Sequence, residues 1–190
     1  MDDKKYNLLD EPWICVMKEN GEVKELSLMD VLLHAHQYRR LAGELPTQDV
    51  AVLRLLLAVL QTVVYRYDTD GNEDELVETE DAYERWKEIW NEGKLPEKPI
   101  REYLTKWKER FYLYDSDRPF YQVPKAAIGT ECKAAKLNGE ISESSNKLRL
   151  FSNRAGKEKE FLSNSEAARW LLYLNGYDDT SAKPKEKGLP

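Results

Sequence analysis

Residues able to do chemistry are concentrated in one stretch, NKLRLFSNRAGKEKEF, which runs from Asn146 to Phe161. It holds five lysine or arginine residues against two glutamates, in a chain whose formal net charge is −6. Cations neutralise phosphates, an aromatic ring stacks on a base or wedges at a base step, and an amide hydrogen-bonds a base edge or a sugar. The stretch therefore has the composition that a nucleic-acid contact needs, and its candidate residues are Lys147, Arg149, Phe151, Ser152, Asn153 and Arg154.

A second interpretation of this stretch stays open. Leu148, Leu150 and Phe151 could form the apolar side of an ordinary strand whose cations face water. The charge distribution indicates where a polyanion would bind, because residues 125–190 carry a net charge of +3 and residues 1–124 a net charge of −9. Lys183 and Lys185 belong to this basic third and are further, less specific candidates for phosphate contact.

No pattern in the chain predicts an enzyme, a metal site or a cofactor. The two histidines, His34 and His36, are spaced i, i+2 and point to different faces of a helix. The two cysteines, Cys15 and Cys132, lack the spacing of a zinc site or a disulfide framework. Nucleophile-elbow and phosphate-loop patterns are missing, and the acidic run 68–81 departs from the spacing of a calcium loop. We therefore expect a non-catalytic protein without a cofactor.

The bulk composition predicts one soluble domain in the cytoplasm. The chain has 190 residues, 41% of them hydrophobic, which suffices for a packed core. Its most apolar stretch, residues 50–65, is interrupted by Arg54 and Gln61, so we expect it to fall short of a membrane span. The N-terminus has no hydrophobic segment typical of a secretory signal, and we expect no membrane partner.

Hydrophobic periodicity predicts a mostly helical α+β fold with a small antiparallel β element, an N-terminal hairpin. The hairpin pairs residues 14–16 with 23–26 through a type I′ turn at Asn20-Gly21. Helices are predicted over 28–43 with Ser27 as cap, from Thr47 to about 67, over 80–93, over 99–114, and from Ser163 or Ser165 to Gly176. We expect the second of these to be buried nearly all round, and the Trp and Tyr residues of the third and fourth to lie in the core.

Four collinear blocks of the chain resemble a known family. They are YNLLDEPWICV, VKELSLMDVLLHAHQYRRLAGELPTQDVAVLRLLLAVLQTV, YLTKWKERFYLYDSDRPFYQV and SNSEAARWLLYLNGYD. Together they resemble the N-terminal part of the CasA family, the large subunit of the type I-E CRISPR Cascade complex. Each block alone would be unspecific, but the four in this order cover most of the chain.

The resemblance implies a non-catalytic subunit of an RNA-guided antiviral surveillance complex. Members of the family lie beside the 5′ end of the guide RNA, recognise the protospacer-adjacent motif in double-stranded DNA, and offer a docking surface to a helicase-nuclease. Such a subunit reads a short duplex motif while base pairing reads the rest of the target. A long loop of the family carries a Phe-x-Asn element, and Phe151, Ser152 and Asn153 lie at the matching place.

This chain departs from the family pattern at two places. The family's glycine-rich loop after the last helix is replaced here by YDDTSAKPKEKGLP, so Lys183 and Lys185 would have to act through phosphate attraction. The family's C-terminal helical bundle and wedge hairpin have no counterpart, so residues 1–190 are expected to be an N-terminal portion of the CasA-type α/β domain. A second function stays open, a protein-protein scaffold with an aromatic docking surface and no nucleic-acid contact.

Overall fold

The protein folds as a mostly helical α+β domain, as the sequence predicts. The structure is a computed structural model that describes residues 4–125, 134–137, 154 and 160–177. In chain order its elements are β1 (Lys5–Asn7), β2 (Ile14–Met17), β3 (Val23–Leu26), α1 (Leu28–Leu33), β4 (Arg40–Leu41), α2 (Pro46–Arg66), α3 (Thr79–Glu92), α4 (Glu97–Lys106), β5 (Tyr112–Tyr114), α5 (Ala134–Leu137) and α6 (Asn164–Tyr177).

The predicted N-terminal hairpin is confirmed, but its turn is of another type. β2 and β3 pair antiparallel, from Ile14 opposite Leu26 to Met17 opposite Val23. In the turn, the Gly21 N–H donates to the Lys18 carbonyl, and Gly21 has φ of 85°. A type I′ turn needs positive φ at both central residues, and Asn20 is not among the described residues with positive φ. The loop is therefore a three-residue connection that ends on glycine.

The helix predicted over 28–43 is much shorter in the structure. Ser27 caps α1 as expected, because its hydroxyl accepts a hydrogen bond from the Asp30 N–H. The helix ends at Leu33, a 3₁₀ turn follows, and Arg40–Leu41 then form β4 beside Met17 and Val16. Pairing with the free edge of β2 satisfies backbone groups that a helix would have satisfied internally, so the sheet overrides the local helical pattern.

β1 and β5 form a separate two-stranded antiparallel sheet, which joins the start of the chain to the segment after α4. Lys5 lies opposite Tyr114 and Asn7 opposite Tyr112. The helix predicted over 99–114 therefore ends early, at Lys106, because residues 112–114 pair with the start of the chain. Beneath these elements lies one apolar core that includes the fully buried Leu8, Trp13, Leu28, Ile100 and Leu104.

The central helix α2 packs against α4 and α6 but is not buried all round. It begins at Pro46, with Leu45 as its N-cap, so Thr47 lies inside the helix and does not cap it. Its outer side exposes Val50, Leu53 and Leu57, which corrects the predicted burial. By length and mean hydropathy α2 could cross a membrane, contrary to our expectation, but half of its most apolar window is buried inside the domain.

The middle helix α3 turns most of its aromatic side chains outward. Ile89 is buried against Leu60 and Val64 of α2, while Trp86 and Trp90 are exposed. The prediction that these tryptophans lie in the core is wrong. The side of α3 that faces the domain carries Ile89 and the buried Arg85. The Arg85 guanidinium donates to the Val64 and Asp74 carbonyls at 2.8 Å each. Trp86 and Trp90 therefore lie on the sides of the helix that face away from the core.

Candidate nucleic-acid interface

Arg154 is the one candidate residue that lies within the described part of the chain. Lys147, Arg149, Phe151, Ser152, Asn153, Lys183 and Lys185 lie outside the described residues, and their assignment stays a prediction. Arg154 lies nine residues before the confirmed cap of α6 at Ser163, near the middle of the basic stretch, residues 146–161. Its position therefore tells how the stretch is attached to the domain at this residue.

The Arg154 guanidinium lies between two carboxylates. Its Nη2 is 2.7 Å from Glu44 Oε2 and 2.9 Å from Glu166 Oε1, and its side chain is only 10% exposed. Charge-assisted hydrogen bonds of this length are among the stronger polar contacts in proteins. They join the basic stretch to the turn before α2 and to the first turn of α6. The nucleic-acid contact of Arg154 stays a prediction, and in the structure its guanidinium attaches this residue of the stretch to the domain.

A second arginine, Arg169, continues this arrangement into the core. Its Nη1 donates to the Trp13 carbonyl at 2.7 Å and to Glu25 Oε1 at 2.6 Å, and its side chain is 5% exposed. Glu44 Oε1 lies 4.0 Å from Arg169 Nη2 and accepts a hydrogen bond from the Trp170 indole at 3.1 Å. We call the five charged residues of this arrangement the ion-pair cluster: Glu25, Glu44, Arg154, Glu166 and Arg169.

Each carboxylate of the cluster comes from a different element. Glu25 is on β3, whereas Glu44 lies in the turn where the Gly43 N–H donates to Asp49 Oδ1 at 2.7 Å. A Cβ on Gly43 would lie 2.7 Å from that same Asp49 oxygen, so this turn needs glycine. Glu166 forms a capping box with Ser163, because the Glu166 N–H donates to Ser163 Oγ and the Ser163 N–H donates to Glu166 Oε2.

Sequence reasoning missed the cluster, although part of its signal is visible. The SxxE spacing of Ser163 and Glu166 marks the start of α6, and Arg169 follows among apolar residues on the same helix. A cation at an apolar position of a helix requires a buried partner. The partners themselves lie 144 and 110 residues away in the two closest pairs, Arg169 with Glu25 and Arg154 with Glu44. Only the tertiary fold brings them together.

The electrostatics of the cluster favour the ionised form of Glu166. Burial alone would raise the pKa of this carboxyl, but hydrogen bonds from the Ser163 N–H and hydroxyl and the charge of Arg154 lower it below its ordinary value. A carboxyl whose pKa is lower in the folded state stabilises the fold above its unfolded pKa. That contribution is lost as pH falls through the folded pKa.

We expect Glu166→Gln to lower the free energy of unfolding by about 1 kcal/mol at neutral pH, because glutamine keeps the shape of the side chain but removes its charge and one of its two accepting oxygens. In the wild type Oε1 accepts from Arg154 and Oε2 accepts from the Ser163 N–H. The difference from wild type should shrink as pH falls from the ordinary pKa of an unfolded glutamate, about 4.3, through the lower pKa of folded Glu166. Urea unfolding at a series of pH values measures it. A difference that stays constant down to pH 2 would contradict the assignment.

The described cysteine offers no nucleophile near the cluster. Burial raises the pKa of the Cys15 thiol to about 11, with the nearby Arg169 charge opposing and Glu25 supporting the rise. The thiol is therefore protonated at neutral pH and a poor nucleophile. His34 Nδ1 lies 3.0 Å from the Asp30 carbonyl, a local contact at the end of α1. These contacts describe structural roles for both residues.

Comparison with known proteins shows which family the chain belongs to. The model of a family described as CRISPR-associated protein Cse1 matches residues 7–187. This chain belongs to the Cse1 family. The resemblance found in the four sequence blocks is thereby confirmed, since the same family is also called CasA.

Individual relatives agree with this membership in sequence and in fold. The CasA/Cse1 protein of Thermus thermophilus is 34% identical over 169 residues, which are 89% of this chain and 31% of the relative. The Cse1 structure from Thermobifida fusca superposes with a TM-score of 0.71 at 33% identity, over 93% of this chain and 31% of that protein. A chain from a structure described as a CRISPR RNA-guided surveillance complex shares the fold, with a TM-score of 0.69 at 20% identity. The match covers 90% of this chain and 34% of that one. The chain thus spans about a third of the length of these Cse1 relatives.

Proposed function

We propose that this Cse1-family chain is part of a non-catalytic subunit of an RNA-guided surveillance complex. In this proposal the subunit recognises a short motif, the protospacer-adjacent motif, in double-stranded DNA. The observation that carries the proposal is the family match over residues 7–187. Other subunits of the complex, the 5′ region of the guide RNA, the duplex target and a recruited helicase-nuclease are its proposed partners. The cytoplasm, where these partners meet, is its proposed location.

The proposed contact is the basic stretch together with the C-terminal lysines. Lys147 and Arg149 neutralise phosphates, Phe151 stacks or wedges at a base step, and Ser152 and Asn153 hydrogen-bond bases or sugars. Lys183 and Lys185 add attraction to the backbone. Such a division suits RNA-guided recognition, where protein reads a short motif and pairing with the guide reads the rest.

Electrostatics support the location of this contact. Residues 1–124 carry a net charge of −9, which repels a polyanion from most of the domain, whereas residues 125–190 carry +3. The ion pairs of Arg154 attach the basic stretch, at this residue, to Glu44 and to Glu166 of α6. In this proposal Arg154 is a positioning residue that acts through the stretch.

We expect Phe151→Ala combined with Asn153→Ala to weaken binding of duplex DNA at least several-fold when the chain is assembled with its guide-RNA complex. The reason is that the double variant removes the stacking ring and the amide but leaves all phosphate contacts in place. Electrophoretic mobility shift with motif-bearing and motif-free duplexes measures the effect.

The matched control for this double variant is Tyr114→Ala, which removes an exposed aromatic ring from β5 in the acidic part of the chain. We expect this control to bind the duplex like wild type. Unchanged binding of the Phe151/Asn153 double variant across a series of salt concentrations would contradict the proposed contact. Loss of complex assembly by that variant, seen as loss of the guide RNA on gel filtration, would assign the two residues to protein contacts instead.

A further inference from the structure

An exposed row of aromatic side chains runs along α3. It consists of Tyr83, Trp86 and Trp90, which we call the aromatic stripe, and these side chains are 66%, 46% and 84% exposed. Their spacing of i, i+3 and i+7 places all three on one face of the helix. Large aromatic side chains gathered on a surface are typical of a binding site, because each buries a large area on contact.

A cavity beside the stripe provides room for an anchoring side chain. It has a volume of about 390 Å³ and lies between α3, the 3₁₀ turn at residues 35–37 and the segment 93–95. Its lining combines apolar side chains with a histidine and one exposed lysine: Ala35, His36, Trp86, Ile89, Trp90, Lys94 and Leu95. Of these, Ile89 is buried in the core, whereas Trp86 and Trp90 are exposed. When an aliphatic or aromatic side chain enters this cavity, that side chain and the residues that line the cavity are both removed from water.

The surroundings of the stripe are strongly acidic. Residues 68–92 contain eleven aspartates and glutamates against one lysine and one arginine, a net charge of −9. The arginine, Arg85, is buried and paired with Asp74, so it does not offset the charge at the surface. Glu80 and Glu84 are exposed on the same helix, Glu80 about one turn before Tyr83 and Glu84 directly after it. This field attracts cationic partners and repels nucleic acid and anionic membranes.

The stripe already accommodates one cation. Lys87 Nζ lies 6.0 Å from the centroid of the Tyr83 ring, within the range of a cation–π contact. Trp86 and Trp90 offer the larger indole faces, which attract ammonium and guanidinium groups more strongly than a phenol ring. Acidic and aromatic groups side by side are therefore suited to lysine or arginine side chains on a partner.

We propose that the aromatic stripe docks a cationic amphipathic segment of a protein partner. An apolar side chain of that segment fills the cavity beside Trp86, and flanking lysines or arginines lie over the indole rings and beside Glu80 and Glu84. This surface is on α3, within the acidic part of the chain, and the basic stretch is not part of it. The inference therefore does not rest on the proposed recognition of DNA, and either can fail without the other.

The test uses the full chain and a synthetic amphipathic helical peptide of leucine and lysine, with binding followed by tryptophan fluorescence and calorimetry. Wild type is expected to bind the peptide and to lose affinity with rising salt. Trp90→Ala should weaken binding about tenfold, as for a central interface aromatic. Combined Glu80→Gln and Glu84→Gln should weaken it several-fold and reduce the dependence on salt. Because Trp90 is so exposed, its replacement should leave thermal unfolding unchanged.

Tyr177→Ala, which removes an exposed ring from α6, is the matched control and should bind like wild type. The proposal is overturned if wild type does not bind the leucine-lysine peptide, if a leucine-glutamate peptide binds equally well, or if Trp90→Ala leaves the affinity unchanged. It is also overturned if wild type dimerises through this face, as shown by dissociation of the dimer in Trp90→Ala. Tighter binding to neutral lipid vesicles than to the peptide would assign the stripe to a membrane and overturn it as well.

Discussion

Arg169→Ala is expected to lower the free energy of unfolding by about 3 kcal/mol, a shift of roughly 6–12 °C in Tm for a chain of this size. The buried guanidinium donates to the Trp13 carbonyl and to Glu25, and Glu44 lies 4.0 Å away. Without it, a buried carbonyl loses its donor and Glu25 loses its paired cation, while Glu44 keeps Arg154 at 2.7 Å. Equilibrium unfolding in urea measures the loss.

Arg101→Ala is the matched control for this prediction. Arg101 also pairs with a glutamate, Glu97, at 2.8 Å, but both side chains are more than half exposed. An exposed pair of this kind contributes under about 1 kcal/mol. Equal effects of Arg101→Ala and Arg169→Ala would mean that the ion-pair cluster does not hold α6 to the hairpin.

Local signals in the sequence correctly predicted the parts of the fold that depend on few residues. The Ser27 and Ser163 caps are confirmed because a hydroxyl followed three residues later by Asp30 or Glu166 satisfies the free N–H groups of a first turn without help from elsewhere. The hairpin is confirmed because its strands alternate and are joined by a glycine-containing turn. Signals of this kind act within about six residues.

Predictions failed where a distant segment decided the outcome. Arg40–Leu41 have a helical pattern but pair with β2, and Tyr112–Tyr114 pair with β1 more than a hundred residues earlier. Periodicity reports which residues could share a face, but the neighbouring elements decide which direction is inward. That is why Trp86 and Trp90 were assigned to the core although only Ile89 of their group is buried.

At the candidate site, too, local residue types could be interpreted from the sequence, whereas contacts with distant residues could not. The residue types of the basic stretch suggest a phosphate contact directly, since cations with an aromatic ring and an amide suit nucleic acid. The role of Arg154 as an anchor could not be predicted, because Glu44 lies 110 residues away and has no distinctive pattern around it. Arg154 is the one predicted contact residue within the part of the chain that the structure describes.

Lys147→Gln combined with Arg149→Gln is expected to weaken binding of the assembled complex to duplex DNA by roughly 60-fold at 0.1 M salt. Each phosphate contact releases close to one counterion, so two lost contacts correspond to a change of about 1.8 in the slope of log affinity against log salt. The stability of the chain should remain that of wild type, because neither residue belongs to the ion-pair cluster as defined above. Mobility shift across a salt series measures both quantities.

Arg154→Gln is the matched control, since it removes one cation from the same stretch. As a positioning residue whose guanidinium is held by Glu44 and Glu166, it should weaken DNA binding while leaving the salt slope unchanged. It should also lower the free energy of unfolding, which a residue that only contacts phosphate would not do. A salt slope reduced by about one in this variant would make Arg154 a direct phosphate contact.

The salt slope of the Lys147/Arg149 double variant tests the central claim, nucleic-acid recognition by the basic stretch, most directly. We predict a slope smaller in magnitude than that of wild type by about 1.8, with guide-RNA assembly intact. A slope and an affinity equal to those of wild type would show that the stretch does not contact the phosphate backbone.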